Sequence, residues 1–121
     1  MYSLTHDWLI DAFKQIHSQG VRIRLLLDKQ MAGSPKSDHE KYRKMGIRVC
    51  LDTEPGFMHN KFAIRDEEIV LTGSYNWTAR AQEKNRGNFL VIKYPHVVEA
   101  YQKEFDLLWE INKAGILPNG A

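Results

Sequence analysis

The stretch MHNKFAIRDEE, Met58–Glu68, gives the clearest indication of how this chain folds. The apolar residues Phe62, Ala63 and Ile64 follow polar ones, and if the stretch is a β-strand its side chains point alternately to two faces. In such a strand His59 and Lys61 point to the same face, about 7 Å apart, and Phe62 points to the other. The RDEE that follows predicts a hairpin turn. We therefore expect an imidazole and an ammonium side by side on one face of a strand, with Asp66 in the turn beyond it.

The next strand, predicted at 67–73, ends in a second group of polar residues, TGSYN. Gly73 permits another part of the backbone to approach closely. Ser74 and Asn76 add a hydroxyl and an amide at the strand end. If the two strands pair through the turn, all four polar groups meet at one place. Three of them can donate hydrogen bonds to anionic oxygens, and the imidazole can attack phosphorus. An H-x-K pair alone usually has no function, but this combination predicts a phosphate site.

The rest of the chain predicts an α/β fold, with a mixed β-sheet flanked by helices on both faces. Helices are expected at 7–19 and 38–45 and from Pro95 onward, and further strands at 21–28, 47–52 and 88–94. Polar loops are expected at 29–37 and at 74–87, the second with room for a short helix. An apolar stripe predicts which face of the last helix is buried: Val97, Val98, Tyr101, Phe105, Leu108 and Ile111.

Composition limits the possible functions. The 121 residues suffice for one domain, and a net charge of +2 permits an anionic partner without requiring one. Cys50 is the only cysteine, which excludes an intrachain disulfide and a cysteine-rich metal site. No apolar run approaches the ~20 residues of a transmembrane helix. The first residues lack the features of a signal peptide, and the sequence predicts no particular compartment.

The pattern H-x-K-x4-D followed by G-S-x-N resembles the signature of the phospholipase D superfamily. In this chain it stands at His59, Lys61 and Asp66, and then at 73–76. The stretches GVRIRLLLDK, MGIRV, MHNKFAI and LTGSYNWT resemble its single-motif branch, which includes bacterial endonucleases and the mitochondrial cardiolipin hydrolase/Zucchini type. The resemblance implies one phospholipase D-like domain over residues 1–121, from which the family's first helix and strand are missing.

The resemblance also implies a mechanism without metal or cofactor. His59 attacks phosphorus and forms a phosphohistidine, and a second histidine acts as general acid and then activates water. Because the chain has one such motif, the second histidine must come from another copy, which implies a homodimer with a site at its two-fold axis. Lys61 and Asn76 are expected to hold the phosphoryl oxygens, Ser74 to position its neighbours, and Asp66 to give structural support.

The substrate is predicted from the residues after the site. Arg80, Lys84 and Arg86 follow it, with Trp77 beside them, and basic residues with a stacking aromatic suit nucleic acid. The alternative is that Trp77 packs into the core and the bases form a solvated face. The first hypothesis is a metal-independent, nonspecific endonuclease acting on DNA or RNA.

Two other functions stay open. The second hypothesis is a phospholipid phosphodiesterase of the cardiolipin type, for which a membrane lipid is the less expected partner. The third is a catalytically weak nucleic-acid-binding domain. It follows from the family's N-x-E-N motif, because the corresponding stretch, 85–88, has Gly87 where the glutamate is expected. In relatives that carboxylate is thought to orient the catalytic histidine.

Overall fold

The computed structural model describes residues 1, 4–5, 7–34, 37–74, 76–78 and 87–118. The strands are β1 (Leu4–Thr5), β2 (Arg24–Leu27), β3 (Arg48–Leu51), β4 (Phe62–Arg65), β5 (Ile69–Gly73), β6 (Trp77–Thr78) and β7 (Phe89–Ile92). The helices are α1 (Asp7–Ser18), α2 (Lys29–Ala32), α3 (His39–Lys44) and α4 (Pro95–Ile111), and a 3-10 turn follows at Lys113–Gly115. Helices and strands alternate early and strands follow one another later, which confirms the predicted α/β class.

The strands pair in both directions, as a mixed arrangement requires. β2 lies parallel to β3, and β1 lies parallel to β6. β4, β5 and β7 form an antiparallel sheet in that order. Within the described ranges the strands thus form three hydrogen-bonded groups, where the sequence predicts one mixed sheet. The chain after α4 returns to β3, where the Leu117 amide donates to the Val49 carbonyl at 2.8 Å.

The β2–β3 pair separates two hydrophobic clusters because its side chains alternate between faces. On one face Leu27 and Val49 join Tyr42 of α3, and partly buried residues of α1 pack against them. On the other face Leu26 packs with Trp109 of α4, in a cluster that also contains Cys50 and Met58. Helices therefore cover both faces, as predicted.

The segment 29–37, which the sequence predicts to be a loop, begins with the short helix α2. Asp28 explains the helix, because its Oδ1 accepts a hydrogen bond from the Met31 amide at 2.9 Å and so caps the first turn. Strand β2 is also shorter than predicted: it begins at Arg24, three residues after the expected start. The predicted loop at 74–87 includes the two residues of β6.

Helix α4 begins at Pro95 as predicted, but its buried stripe differs at the C-terminal end. Trp109 is buried, whereas Ile111 is 48% exposed. Trp109 lies four residues after Phe105 and therefore continues the same helix face, which position 111 does not.

Candidate active site

A cleft with a volume of about 720 Å³ opens where β4 begins and β5 ends. Four residues that the sequence predicts to be catalytic line it: His59, Lys61, Ser74 and Asn76. The β4–β5 hairpin brings His59 and Lys61 close to Ser74 and Asn76, because Phe62 pairs with Thr72 at the open end of the ladder. The structure thus confirms that the four polar groups meet at one place.

His59 and Lys61 are neighbours, but not for the predicted reason. Strand β4 begins at Phe62, so both residues lie in the segment before it and strand alternation does not place them. Lys61 Nζ lies 2.8 Å from His59 Nδ1 and 3.3 Å from Nε2, and it donates a hydrogen bond of 2.8 Å to the His59 carbonyl. Partial burial of the ammonium lowers the pKa of Lys61. An ammonium thus lies directly beside the imidazole.

Asp28 fixes the segment that carries this pair. Its Oδ2 accepts a hydrogen bond of 2.8 Å from the Met58 amide, while its Oδ1 caps α2. The carboxylate is 2% exposed, and the Met58 side chain is buried in the core. The residue before His59 is therefore held through both its backbone and its side chain. Sequence reasoning missed Asp28, although an aspartate between an apolar strand and a helix is a typical N-cap signal.

Ser74 is held by the start of β7. Its amide donates to the Asn88 carbonyl at 3.1 Å, and its Oγ accepts a hydrogen bond of 2.9 Å from the Asn88 amide. The two strand ends approach so closely that a Cβ atom on Gly73 would lie 2.2 Å from the Asn88 carbonyl oxygen. The close backbone approach predicted at Gly73 is therefore present, and a Cβ atom there would force the strand ends apart. Gly87, which stands in place of the family's glutamate, is exposed and directly precedes Asn88.

Asp66 lies in the hairpin turn, as predicted, at the end of β4 away from the cleft. Asp66 and Glu67 both have positive φ angles, 53° and 58°, as in type I′ hairpin turns. The Asp66 carboxylate is 70% exposed and lies 3.8 Å from Nε of Arg65. This position suits support of the turn and not contact with a substrate in the cleft.

The predicted substrate-binding residues fall mostly outside the described residues. Arg80, Lys84 and Arg86 all lie there. The backbone of Trp77 belongs to β6, which pairs with β1. The structure therefore leaves the role of these four residues as a prediction.

Helix α4 contributes to the cleft, which the sequence did not reveal. Ala100, Tyr101 and Glu104 line it. Phe62 of β4 fixes Tyr101 by an edge-to-face contact, with ring centroids 5.0 Å apart. The apolar stripe predicted that Tyr101 faces the sheet, but which end of the sheet it meets depends on tertiary packing.

The described part of the chain contains no group of three or more His, Cys, Asp or Glu side chains that could hold a metal ion. None of the helices described is both long and apolar enough to cross a membrane.

The chemistry of the cleft suits a phosphate. Imidazole nitrogen is a nucleophile for phosphorus, and an ammonium, a hydroxyl and an amide can each donate hydrogen bonds to phosphoryl oxygens. Such donors also stabilise the charge that develops when phosphorus is attacked.

Comparison with known proteins agrees with this geometry. A family model described as "Cardiolipin synthase, PLD-like domain" matches residues 1–109. A mitochondrial cardiolipin hydrolase of Chlamydomonas reinhardtii is 37% identical over 113 residues, which cover 93% of this chain and 51% of the relative. That of Homo sapiens is 36% identical over 110 residues, covering 91% of this chain and 44% of the relative. The chain thus spans about half the length of these curated relatives.

Among solved structures, Nuc from Salmonella typhimurium, described as a phospholipase D family member, superposes with a TM-score of 0.82 and 25% identity. The superposition covers 96% of this chain and 76% of that one.

Proposed function

We propose that this chain, which belongs to the phospholipase D superfamily, is a metal-independent phosphodiesterase that cleaves DNA or RNA as an endonuclease with little base specificity. One observation carries the proposal: His59 Nδ1 and Lys61 Nζ lie 2.8 Å apart on a cleft that Ser74 and Asn76 also line. This arrangement offers a nucleophile and three donors to one phosphate.

The reaction takes two steps. An imidazole nitrogen of His59 attacks phosphorus and forms a phosphohistidine, while the bond from phosphorus to the leaving oxygen breaks. A second histidine gives its proton to that oxygen and then takes a proton from the water that releases the phosphoryl group. Lys61 and Asn76 hold the non-bridging oxygens throughout. Ser74 positions the strand end through its hydrogen bond with Asn88, and Asp66 supports the turn.

The second histidine comes from a partner copy. The cleft of one chain holds a single histidine among the described residues, His59. A homodimer with its two-fold axis at the cleft supplies His59 of the partner subunit, so that one imidazole is nucleophile and the other is general acid.

The proposal for nucleic acid rests on the basic residues Arg80, Lys84 and Arg86 and on Trp77, which follow the site in the sequence. A second candidate is phospholipid hydrolysis of the cardiolipin type. It is favoured by the relatives named mitochondrial cardiolipin hydrolase, which are 36–42% identical to this chain in alga, frog and mammals. A third candidate, weak catalysis with retained binding, is favoured by Gly87.

The test is hydrolysis in EDTA of a single-stranded oligonucleotide and of cardiolipin vesicles, by the wild type and by His59→Ala. We expect the wild type to cleave the oligonucleotide and His59→Ala to lose at least about 10³-fold in rate, as nucleophile removal does elsewhere. His96→Ala, which removes an exposed histidine of α4, is the matched control and should keep its activity. Cardiolipin turnover alone selects the second candidate, and oligonucleotide binding without turnover selects the third.

A further inference from the structure

Two arginines lie next to each other outside the cleft. Arg24 and Arg48 are the first residues of β2 and β3 and are direct partners in the parallel register. Adjacent strands are about 4.8 Å apart, so the two side chains start from neighbouring points. Strand alternation puts both on the face of the pair that packs against α4, at the exposed edge of the cluster around Trp109.

Aromatic rings of α4 hold the two guanidinium groups. The Arg24 guanidinium lies 4.8 Å from the ring centroid of Phe105 and 5.3 Å from that of Trp109. The Arg48 guanidinium lies 5.7 Å from the same Trp109 ring. Cation–π contacts of this kind restrict the side chains while leaving N–H groups available for an anion. Two like charges are thus kept close together over one aromatic surface.

One carboxylate, that of Asp106, forms an ion pair with one member of this arginine pair. Nη2 of Arg24 lies 3.1 Å from Oδ1 of Asp106 in a solvent-exposed ion pair. Within the part of the chain that the structure describes, Arg48 has no carboxylate within ion-pair distance. The site therefore carries an excess positive charge on a planar donor that suits phosphate oxygens.

Helix α4 connects this pair to the cleft. Its residues 100, 101 and 104 line the cleft, and its residues 105, 106 and 109 contact Arg24 or Arg48. The aromatic rings make a continuous row: Phe62 lies 5.0 Å from Tyr101 and 6.5 Å from Phe105, and Phe105 stacks on Trp109 at 5.9 Å. From Tyr101 to Trp109 the helix rises about 12 Å. That distance equals roughly three to four nucleotides of a stacked strand.

We propose that Arg24 and Arg48 form a second phosphate-binding site, which takes a backbone phosphate of a nucleic-acid strand whose scissile phosphate lies at His59. The inference rests on the proposed function and deepens it, because it favours a polyanionic strand over a phospholipid. A cardiolipin-type headgroup offers two phosphates, whereas a nucleic-acid strand offers one at each nucleotide along its length.

The test compares Arg48→Gln, which keeps much of the stem over Trp109 but removes the charge, with Lys103→Gln. Lys103 is an equally charged residue of α4, 76% exposed, whose ion pair is with Glu99. Binding of a 20-nucleotide single strand is measured by fluorescence anisotropy against salt, in a His59→Ala background that prevents cleavage. Turnover is measured with His59 present, on the same strand and on bis(p-nitrophenyl) phosphate, which carries a single phosphate.

We expect Arg48→Gln to weaken strand binding about tenfold and to reduce the salt dependence, the slope of log K against log salt concentration, by about 0.7. Turnover of the small diester should change less than twofold, and Lys103→Gln should leave every value unchanged. Arg48→Lys, which keeps the charge, should retain most of the salt slope and shows that the effect is not one of misfolding.

Equal strand binding by the wild type and Arg48→Gln, or equal losses in Arg48→Gln and Lys103→Gln, would overturn the inference. So would binding of anionic vesicles with no binding of the strand. These results differ from failure of the proposed function. Strand binding that depends on Arg48 in a protein that hydrolyses no diester upholds the second site and rejects the enzyme. Cleavage of the strand at the same rate by the wild type and Arg48→Gln upholds the enzyme and rejects the second site.

Discussion

Lys61 is the single residue whose electrostatic environment matters most to the proposed chemistry. Its ammonium lies beside the His59 ring and partly out of water, and this desolvation lowers its pKa. A phosphate entering the cleft would take up the ammonium's hydrogen bonds, and its negative charge would compensate for the lost hydration. In the proposed reaction Lys61 thus provides an anion site whose charge depends on pH.

The pKa shift predicts the alkaline limit of activity. A lysine with a lowered pKa loses its proton at a lower pH. The decline of kcat/KM with rising pH should therefore begin at a pH below the usual lysine pKa of about 10.4. Lys61→Arg keeps its charge to above about pH 12, so its remaining activity should extend to higher pH. The measurement is kcat/KM against pH on bis(p-nitrophenyl) phosphate, with Lys103→Arg as control. An alkaline limb at the same pH in wild type and Lys61→Arg would show that another group titrates there.

At the scale of elements, the site depends on two close junctions. The end of β5 meets the start of β7 at Gly73 and Ser74, and the end of β2 holds the segment before β4 through Asp28. Each junction joins a residue predicted to be catalytic, or the residue before it, to a strand that is buried or hydrogen-bonded.

Gly73→Ala tests the first junction. The new methyl group would lie 2.2 Å from a backbone oxygen, so the strands must separate. We expect a loss of at least about 2 kcal/mol in the free energy of unfolding, together with reduced activity, because Ser74 moves. Gly33→Ala is the matched control, since its Cβ would have ordinary contacts of 3.4 Å or more. Denaturant unfolding measures both, and equal stabilities of the two variants would contradict the close approach.

Asp28→Ala tests the second junction. It removes the cap of α2 and leaves the buried Met58 amide without its acceptor, which should cost about 2–4 kcal/mol of unfolding free energy. Activity of the remaining folded protein should fall by about 10²-fold, because His59 loses its position. The exposed Asp11→Ala should change stability by no more than about 0.5 kcal/mol. An Asp28→Ala variant with wild-type stability and activity would show that Asp28 does not hold the segment before His59 in place.

The elements also show what the sequence can predict. Helical spacing and a proline located α4, and the RDEE turn located the β4–β5 hairpin, because both signals are local. Helix α2 was missed, since four residues are too few to show periodicity and only the cap at Asp28 indicates them. The neighbours His59 and Lys61 were identified correctly through a wrong conformation: a hydrogen bond from Lys61 to the His59 carbonyl brings them together, not strand alternation.

The residues of α4 that line the cleft show a different limit. Tyr101 was predicted to face the sheet, yet nothing in the local sequence shows that it meets Phe62 at the start of β4. Arg24 and Arg48 are 24 residues apart in the chain and become neighbours through strand register alone. Such long-range contacts depend on the whole fold.

In the whole molecule, the proposed mechanism requires two chains for each active site. If each site uses both copies of His59, a dimer of one wild-type and one His59→Ala chain is inactive. When the two kinds of chain are mixed one to one and exchanged, half of the wild-type chains end in inactive mixed dimers, so the activity per wild-type chain should fall by half. The mixture should therefore have about a quarter of the activity of the same total concentration of wild-type protein. Sites within single chains would retain about half. His96→Ala in the same mixture should cause no loss.

The proposed mechanism requires a covalent bond between His59 and phosphorus, which rapid quenching into base can detect. The wild type is mixed in EDTA with a short oligonucleotide, and the His59 peptide is analysed by mass spectrometry. We expect a nucleotidyl adduct on His59 that forms before product release, is lost in acid and is absent from His59→Ala. Product formation with the His59 peptide unmodified at every quench time would contradict the account.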